Sequence, residues 1–355
     1  MSTPVKYRDH FYPNTETLAP DEMRITALGT GRPFLRKAQA NAGWLIELGN
    51  GDKFMFDFGF GTQLNFASLE IPYNAITAIF ATHLHTDHVG DFMQVRQGGW
   101  SGGRTTPLQV YGPSGAIPEH GIKHFVENQV RSFRWDADTR HGILPLVGSE
   151  IDVHEFDFSK VDTIYERNGV RIISFPAVHI YDGPVSLRLE WNGLVFVFSG
   201  DTIPSQFMLD NGKNADLLIH ETFDLYQRMM EKAGYDEKTA RTVCTAIHSD
   251  PMEVGYVFDA LRPRLAVGYH FYNDFETLPG QIAAVRMHYD GPLEFARDLM
   301  VFNVTKDQIK TRMANVSSET WPNKEFHGEG FRKLPRGERL VMSSWLADRI
   351  LYPKV

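Results

Sequence analysis

The chain is nearly free of cysteine, with Cys244 alone in 355 residues. One thiol can form neither an intrachain disulfide framework nor a thiolate metal cage, so any metal chemistry must rest on histidine and carboxylate. A continuous apolar run of membrane-spanning length is also missing. The opening "MSTPVKYRDHFYPNTETLAPDEMR" has no apolar core and no small-residue cleavage site. Neither a membrane span nor a signal peptide is expected, and the expected location is cytoplasmic. Basic residues are in deficit: 36 Lys plus Arg against 44 Asp plus Glu leave a formal net charge of −8. That balance lacks the footprint of a dedicated nucleic-acid binder.

What is present is a hydrophobic fraction of 42%, enough for a sizeable core. Residues 1–22 are polar, contain proline and show no periodicity, so an N-terminal arm is expected there. "GWLIEL" and "KFMFDFG" flank the Asn-Gly turn of "GNGD", a strong hairpin signal. "AITAIFA", "PLQVYGPSG", "GVRIISFPAVH", "VSLRLEW", "LVFVFSGD", "ADLLIHE" and "RLAVGYH" read as further strands. The glycine-rich "QGGWSGGRT" reads as a loop, residues 116–133 as a helix, and "DPMEVGYVFDALR" as another. Meander and helices alternate in both halves, which points to two similar half-domains in one sandwich. From about residue 305 the chain is polar with scattered aromatics. It ends in "ERLVMSSWLADRILYPKV", an expected amphipathic helix packing on the body or on another subunit, the latter giving a homo-oligomer.

The densest chemistry lies in "THLHTDHVGDF", where His83, His85, Asp87 and His88 crowd into six residues after an apolar strand. An H-x-H-x-D-H match arises by chance in roughly one such chain per thousand. Zinc takes imidazole nitrogen and carboxylate oxygen, and alternate residues leaving a strand can aim two imidazoles at one point. His83 and His85 can therefore share one metal, while Asp87 and His88 face a second position after the chain turns. Four ligands do not close two sites, and His179, Asp201 and His270, each ending a strand-like run, are the candidates for the rest.

With "HLHTDH", His179, "FSGD", "GYH" and "FDFG" (Asp57) in this order, the chain resembles the metallo-β-lactamase superfamily over about residues 23–274. The resemblance implies an α/β four-layer αββα sandwich spanning residues 23–304, with the arm before it and an extension at 305–355. It implies two zinc ions per chain: one held by His83, His85 and His179, the other by Asp87, His88 and His270, with Asp201 bridging. Asp57 would support the ligands from behind. "LGTG", "PLQVYGPSG", "LLIHE" with Glu221 and "AIHSDP" with His248 resemble the tRNase Z branch, where the counterparts of Glu221 and His248 act as a catalytic pair. "ELGNGDKF", "GPVSLRLEWNG" and "YHFYND" resemble metallo-β-lactamases of metagenomic origin with tRNase Z-like chains.

The expected chemistry is hydrolysis by a metal-bridging hydroxide oriented by Asp87. His248 would act as proton donor and Glu221 as its support, while Trp100 and Arg104 would line the substrate pocket. A small-molecule substrate, a β-lactam or related cyclic amide or ester, is the first expectation. A tRNase Z-like phosphodiester is the alternative, and a non-catalytic scaffold is a third reading. The short acidic "HEFDFSKVDTIYERNGV" and the negative charge speak against nucleic acid. Cys244 and His220 are expected in the core, and His10, His120 and His327 on the ordinary surface.

Overall fold

The computed structural model describes residues 6–320 and 329–351. Among them, two sheets pack face to face with helices on their outer sides. The first sheet has nine strands, in the order His10–Phe11, Ile309–Ala314, Met300–Val304, Met23–Gly29, Gly43–Leu48, Lys53–Phe58, Ala78–Phe80, Leu108–Pro113 and Ile151–Phe156. The second has seven, in the order Leu293–Phe295, Leu265–Tyr269, Leu217–Glu221, Leu194–Phe198, Val185–Trp191, Val170–Pro176 and Asp162–Arg167. This is the four-layer αββα sandwich.

Strands buried on both faces need near-continuous apolar sequence rather than alternation, which is why "FMFDF" and "LVFVF" read as solid runs. Inward residues of the two sheets meet between them: Trp44, Phe56 and Phe80 pack in one cluster with Phe196, Phe198 and Tyr269. On the outer face of the first sheet, Phe58, Phe92 and Val126 form a second cluster under helices Phe92–Ser101 and Ile122–Ser132. Val254 and Phe258 of helix Pro251–Leu261 cover the second sheet. That helix begins with a full capping box between Asp250 and Glu253.

The second hairpin closes as its sequence requires. Asn192 and Gly193 take φ of 52° and 75°, the left-handed pair that matches the strand twist between Trp191 and Leu194. Two other readings shift. The first half of the glycine-rich stretch expected as a loop continues helix Phe92–Ser101 through Gly98 and Gly99, and only Gly102 and Gly103 turn. A Cβ on Gly99 would stand 2.4 Å from Arg104 Nη1, so glycine serves close approach there rather than a turn. The helix expected over 116–133 is a 3₁₀ turn, Pro118–His120, followed by Ile122–Ser132.

The sheet also runs past the expected domain boundary at 304, through Ile309–Ala314. The arm joins it by pairing His10–Phe11 with that strand. The tail helix is confined to Ser344–Ala347, with Val341, Trp345 and Leu351 exposed, so it does not pack on the body. His327 lies outside the described residues. Cys244 and His220 are in the core, as expected, and burial pushes the Cys244 thiol up to about 12.

A buried ion pair locks the arm side of the first sheet. Arg24 and Glu47 are cross-strand partners, joined by two hydrogen bonds of 2.8 and 3.0 Å, and Phe11 lies over the guanidinium at 4.4 Å. Glu47→Ala leaves the cation buried with its bidentate partner gone, and is expected to cost about 3–5 kcal/mol in denaturant unfolding. The double change Arg24→Met/Glu47→Leu should recover most of it. A loss under about 1 kcal/mol for the single variant would place that pair with solvent-screened surface bridges instead.

Candidate metal centre

Strands Lys53–Phe58 and Ala78–Phe80 run parallel, as do Leu194–Phe198, Leu217–Glu221 and Leu265–Tyr269. Their C-terminal ends therefore gather at one edge of the sandwich. His83 follows Ala78–Phe80, and His85 stands at the N-cap of the short helix Thr86–Val89, which carries Asp87 and His88. Asp201 and His270 follow their strands closely, and Glu221 ends its own. His179 sits in the loop after Val170–Pro176, and His248 between a helical segment ending at Ile247 and helix Pro251–Leu261.

These side chains converge. His83 Nε2 and His179 Nε2 lie 3.0 and 3.2 Å from His85 Nδ1. Ligand atoms of His83, His85, His179 and Asp201 all fall within 4.8 Å of one another, as do those of Asp87, His88 and His270. These are the two sets expected from the sequence. Asp201 stands between them: Oδ2 faces His83 and His179 at 3.8 and 3.9 Å, and Oδ1 faces His88 and His270 at 3.3 and 3.5 Å. Glu221 and His248 fall within the same 4.8 Å of Asp201 and His270, beside both sets.

The surroundings orient each ring. Asp57, fully buried, accepts from Thr82 N–H at 2.8 Å and meets His88 Nδ1 at 2.7 Å, so His88 Nε2 points into the cluster. His179 Nδ1–H donates to the Ile247 carbonyl at 2.7 Å, which likewise turns Nε2 inward. Asp57 and His270 hold φ of 56° and 73°, a region non-glycine residues seldom adopt. Such strain costs on the order of 1–3 kcal/mol and persists only where neighbours impose it. For His270 one such neighbour is Thr30, whose carbonyl accepts from the His270 N–H at 3.0 Å.

The donor set suits cations. Burial pushes His83, His85 and His179 below the usual imidazole range, keeping them in the neutral form that ligates metal. Burial also penalises the His88 cation, but the carboxylates of Asp201, Asp87 and Asp57 outweigh it and hold His88 well above that range. Burial likewise disfavours the Asp201 anion, yet His270 and His88 hold its carboxyl well below the ordinary value. His88 Nε2 and Asp201 Oδ1 are buried with no hydrogen-bond partner among the described residues. Buried polar atoms left unpaired at one point are what bound cations would satisfy.

Beside the cluster, His248 Nδ1 lies 3.0 Å from Glu221 Oε2, and Thr202 N–H donates to Glu221 Oε1 at 2.7 Å. Burial, then the Asp201 carboxylate, push Glu221 well above the carboxylate range. Phe223 stacks flat on the His248 ring, centroids 4.2 Å apart and planes 7° apart. That stacking partner went unread in the sequence, although it stands two residues after Glu221 in "HETF". About a tenth of the His248 side chain remains exposed.

Trp100 and Arg104 do not line the site. The Trp100 indole is fully buried and donates to the Pro145 carbonyl, while Arg104 donates to the carbonyls of Arg96 and Gly148. Burial lowers the Arg104 guanidinium to about 10. Both tie helix Phe92–Ser101 to the segment after residue 144, and Gly99 admits the Arg104 side chain. His120 is exposed, as expected, and also lines a cavity beside His83, His85 and His179.

Asp57→Ala should lower metal affinity about 10–100-fold, the usual consequence of removing a ligand's hydrogen-bonded support. Competition against a chromophoric chelator measures this, and unchanged affinity would leave Asp57 a fold residue only.

Residues 38–253 match the family model described as the metallo-beta-lactamase superfamily. Ribonuclease Z of Mycobacterium marinum is 29% identical over 204 residues, 56% of this chain and 70% of that protein. Ribonuclease Z of Mycolicibacterium paratuberculosis is 28% identical over 237 residues, covering 63% and 81%. Among solved structures, the metallo-beta-lactamase fold protein YhfI of Bacillus subtilis superposes with a TM-score of 0.60 at 17% identity, covering 80% of this chain and all of that one. Human tRNase Z, short form, superposes with a TM-score of 0.58 at 19% identity, covering 78% and 98%. The match spans more than half of the chain and takes in most of the converging residues: the chain belongs to the metallo-beta-lactamase superfamily.

Proposed function

We propose that this enzyme is a two-zinc phosphodiesterase of tRNase Z-like type. The observation that carries the reading is the Glu221–His248 pair, held beside the seven converging ligand candidates. The relatives named ribonuclease Z support a phosphodiester over the β-lactam or cyclic amide expected first from the sequence. A non-catalytic scaffold would have no use for an oriented imidazole next to a complete ligand set.

His83, His85 and His179 would hold one cation, Asp87, His88 and His270 the other, and Asp201 would join them. When bound, two divalent cations activate water at neutral pH and neutralise the scissile phosphate. Asp87 offers a carboxylate oxygen at the cluster, 3.2 Å from His270 Nε2, as a further acceptor that orients the attacking water. Glu221 holds His248 at Nδ1 and Phe223 fixes its ring plane, leaving Nε2 to deliver a proton to the departing oxygen.

The test is a comparison on zinc-loaded protein of bis(p-nitrophenyl) phosphate, nitrocefin and an aryl lactone. Phosphodiester hydrolysis that disappears with chelator and returns with zinc is expected. Turnover of nitrocefin or the lactone without phosphodiester turnover would overturn the reading.

A further inference from the structure

Against the His83, His85 and His179 side of the cluster the molecule opens a cavity of about 560 Å³. Its apolar wall is Leu84, Pro113, Phe125, Ile180, Tyr181 and Pro184; His120, His124, Asn128 and Gln129 also line it, and its carboxylates are Glu119 and Asp182. No lysine or arginine lines it among the described residues. The mouth is framed by the loop between strands Val170–Pro176 and Val185–Trp191. There Tyr181 meets the His120 ring edge-on at 5.9 Å. Ile180, 63% exposed, is held at φ 35°, an uncommon backbone state for a β-branched residue. An exposed isoleucine in a strained conformation is not explained by packing, and strain of this kind gathers at ligand sites.

The lining determines what can enter. A polyanion gains affinity by replacing counterions with lysine and arginine, and a carboxylate is commonly gripped by an arginine fork. Neither is available here, and two acidic groups stand at the wall. A volume of this size with apolar walls suits a small organic group. Resting on the phosphodiester reading, we propose that this cavity receives an apolar, aryl-sized arm of the substrate next to the scissile bond. The preferred substrate class is then a small diester with one bulky apolar arm, rather than a polynucleotide or a carboxylated ring.

Binding and turnover test this separately. On zinc-loaded full-length protein, calorimetry compares diphenyl phosphate with dimethyl phosphate, two anions of equal charge that differ in apolar arms. Diphenyl phosphate is expected to bind about tenfold or more tightly, the margin from burying one ring. Ile180→Lys, at an exposed position, should reduce that preference several-fold, whereas Ile143→Ala, an exposed apolar residue not lining the cavity, should leave it unchanged. Equal binding of the two esters, or tighter binding of a single-stranded oligonucleotide than of diphenyl phosphate, would overturn the cavity assignment. If bis(p-nitrophenyl) phosphate is still hydrolysed, the phosphodiesterase reading survives that result. The binding preference without phosphodiester turnover would do the reverse, keeping the cavity and removing the reaction.

Discussion

Asp201→Ala should leave a folded protein that holds at most one of the two metals proposed and has lost activity by about 10³-fold or more. The size follows from position. Among the described residues, Asp201 is the one carboxylate whose two oxygens face different histidine sets, His83 and His179 on one side, His88 and His270 on the other. Alanine removes a shared ligand and the negative charge that burial otherwise disfavours. His88 and His270 would then face each other with less compensation, which weakens the second set further. Asp201→Asn keeps the shape, so it should retain more metal than alanine and still be slow. Metal content by plasma mass spectrometry, far-ultraviolet dichroism and phosphodiester turnover together decide the case. Two metals per chain and activity within tenfold of the parent would remove Asp201 from the bridging role.

The candidate metal ligands were legible because strand-end geometry is written locally. His83, His85, Asp87 and His88 share one short segment. Each of His179, Asp201 and His270 ends an apolar run whose strand character is plain in the residues. The parallel pairing that brings those ends to one edge required the family resemblance, since nothing in "GYH" alone indicates its neighbour. Trp100 and Arg104 misled for a physical reason: glycines mark close approach as readily as turns, and the approaching group here is Arg104 itself. The cavity was hidden because its wall is assembled from four separate segments, residues 83–85, 113, 119–129 and 179–184. His120 and Phe125 have unremarkable sequence contexts, and the left-handed backbone at Ile180 has no signature at an isoleucine. The tail presents an amphipathic pattern that the described fold leaves exposed, so its apolar side has no partner among the described residues.

His248→Ala should separate proton delivery from metal binding through the leaving group. A p-nitrophenolate departs as a stable anion and needs no proton, whereas an alkoxide must be protonated as it leaves. The variant is therefore expected to keep both metals and to hydrolyse bis(p-nitrophenyl) phosphate within about tenfold of the parent. Its kcat on a p-nitrophenyl-free dialkyl diester, or on an RNA linkage, should fall about 10²–10⁴-fold, the range of general-acid contributions. Glu221→Gln should follow the same pattern more weakly, because Gln still partners Nδ1 while losing the carboxylate, and Phe223→Leu should do so by freeing the ring plane. The alternative is structural: His248 also lies 3.7 Å from Asp201 Oδ2 and could serve mainly to hold that carboxylate. In that event metal content would drop in His248→Ala, and both substrates would slow by the same factor. A leaving-group-independent loss of rate would therefore assign His248 to positioning Asp201, and the proton donor would have to be sought elsewhere at the edge of the cluster.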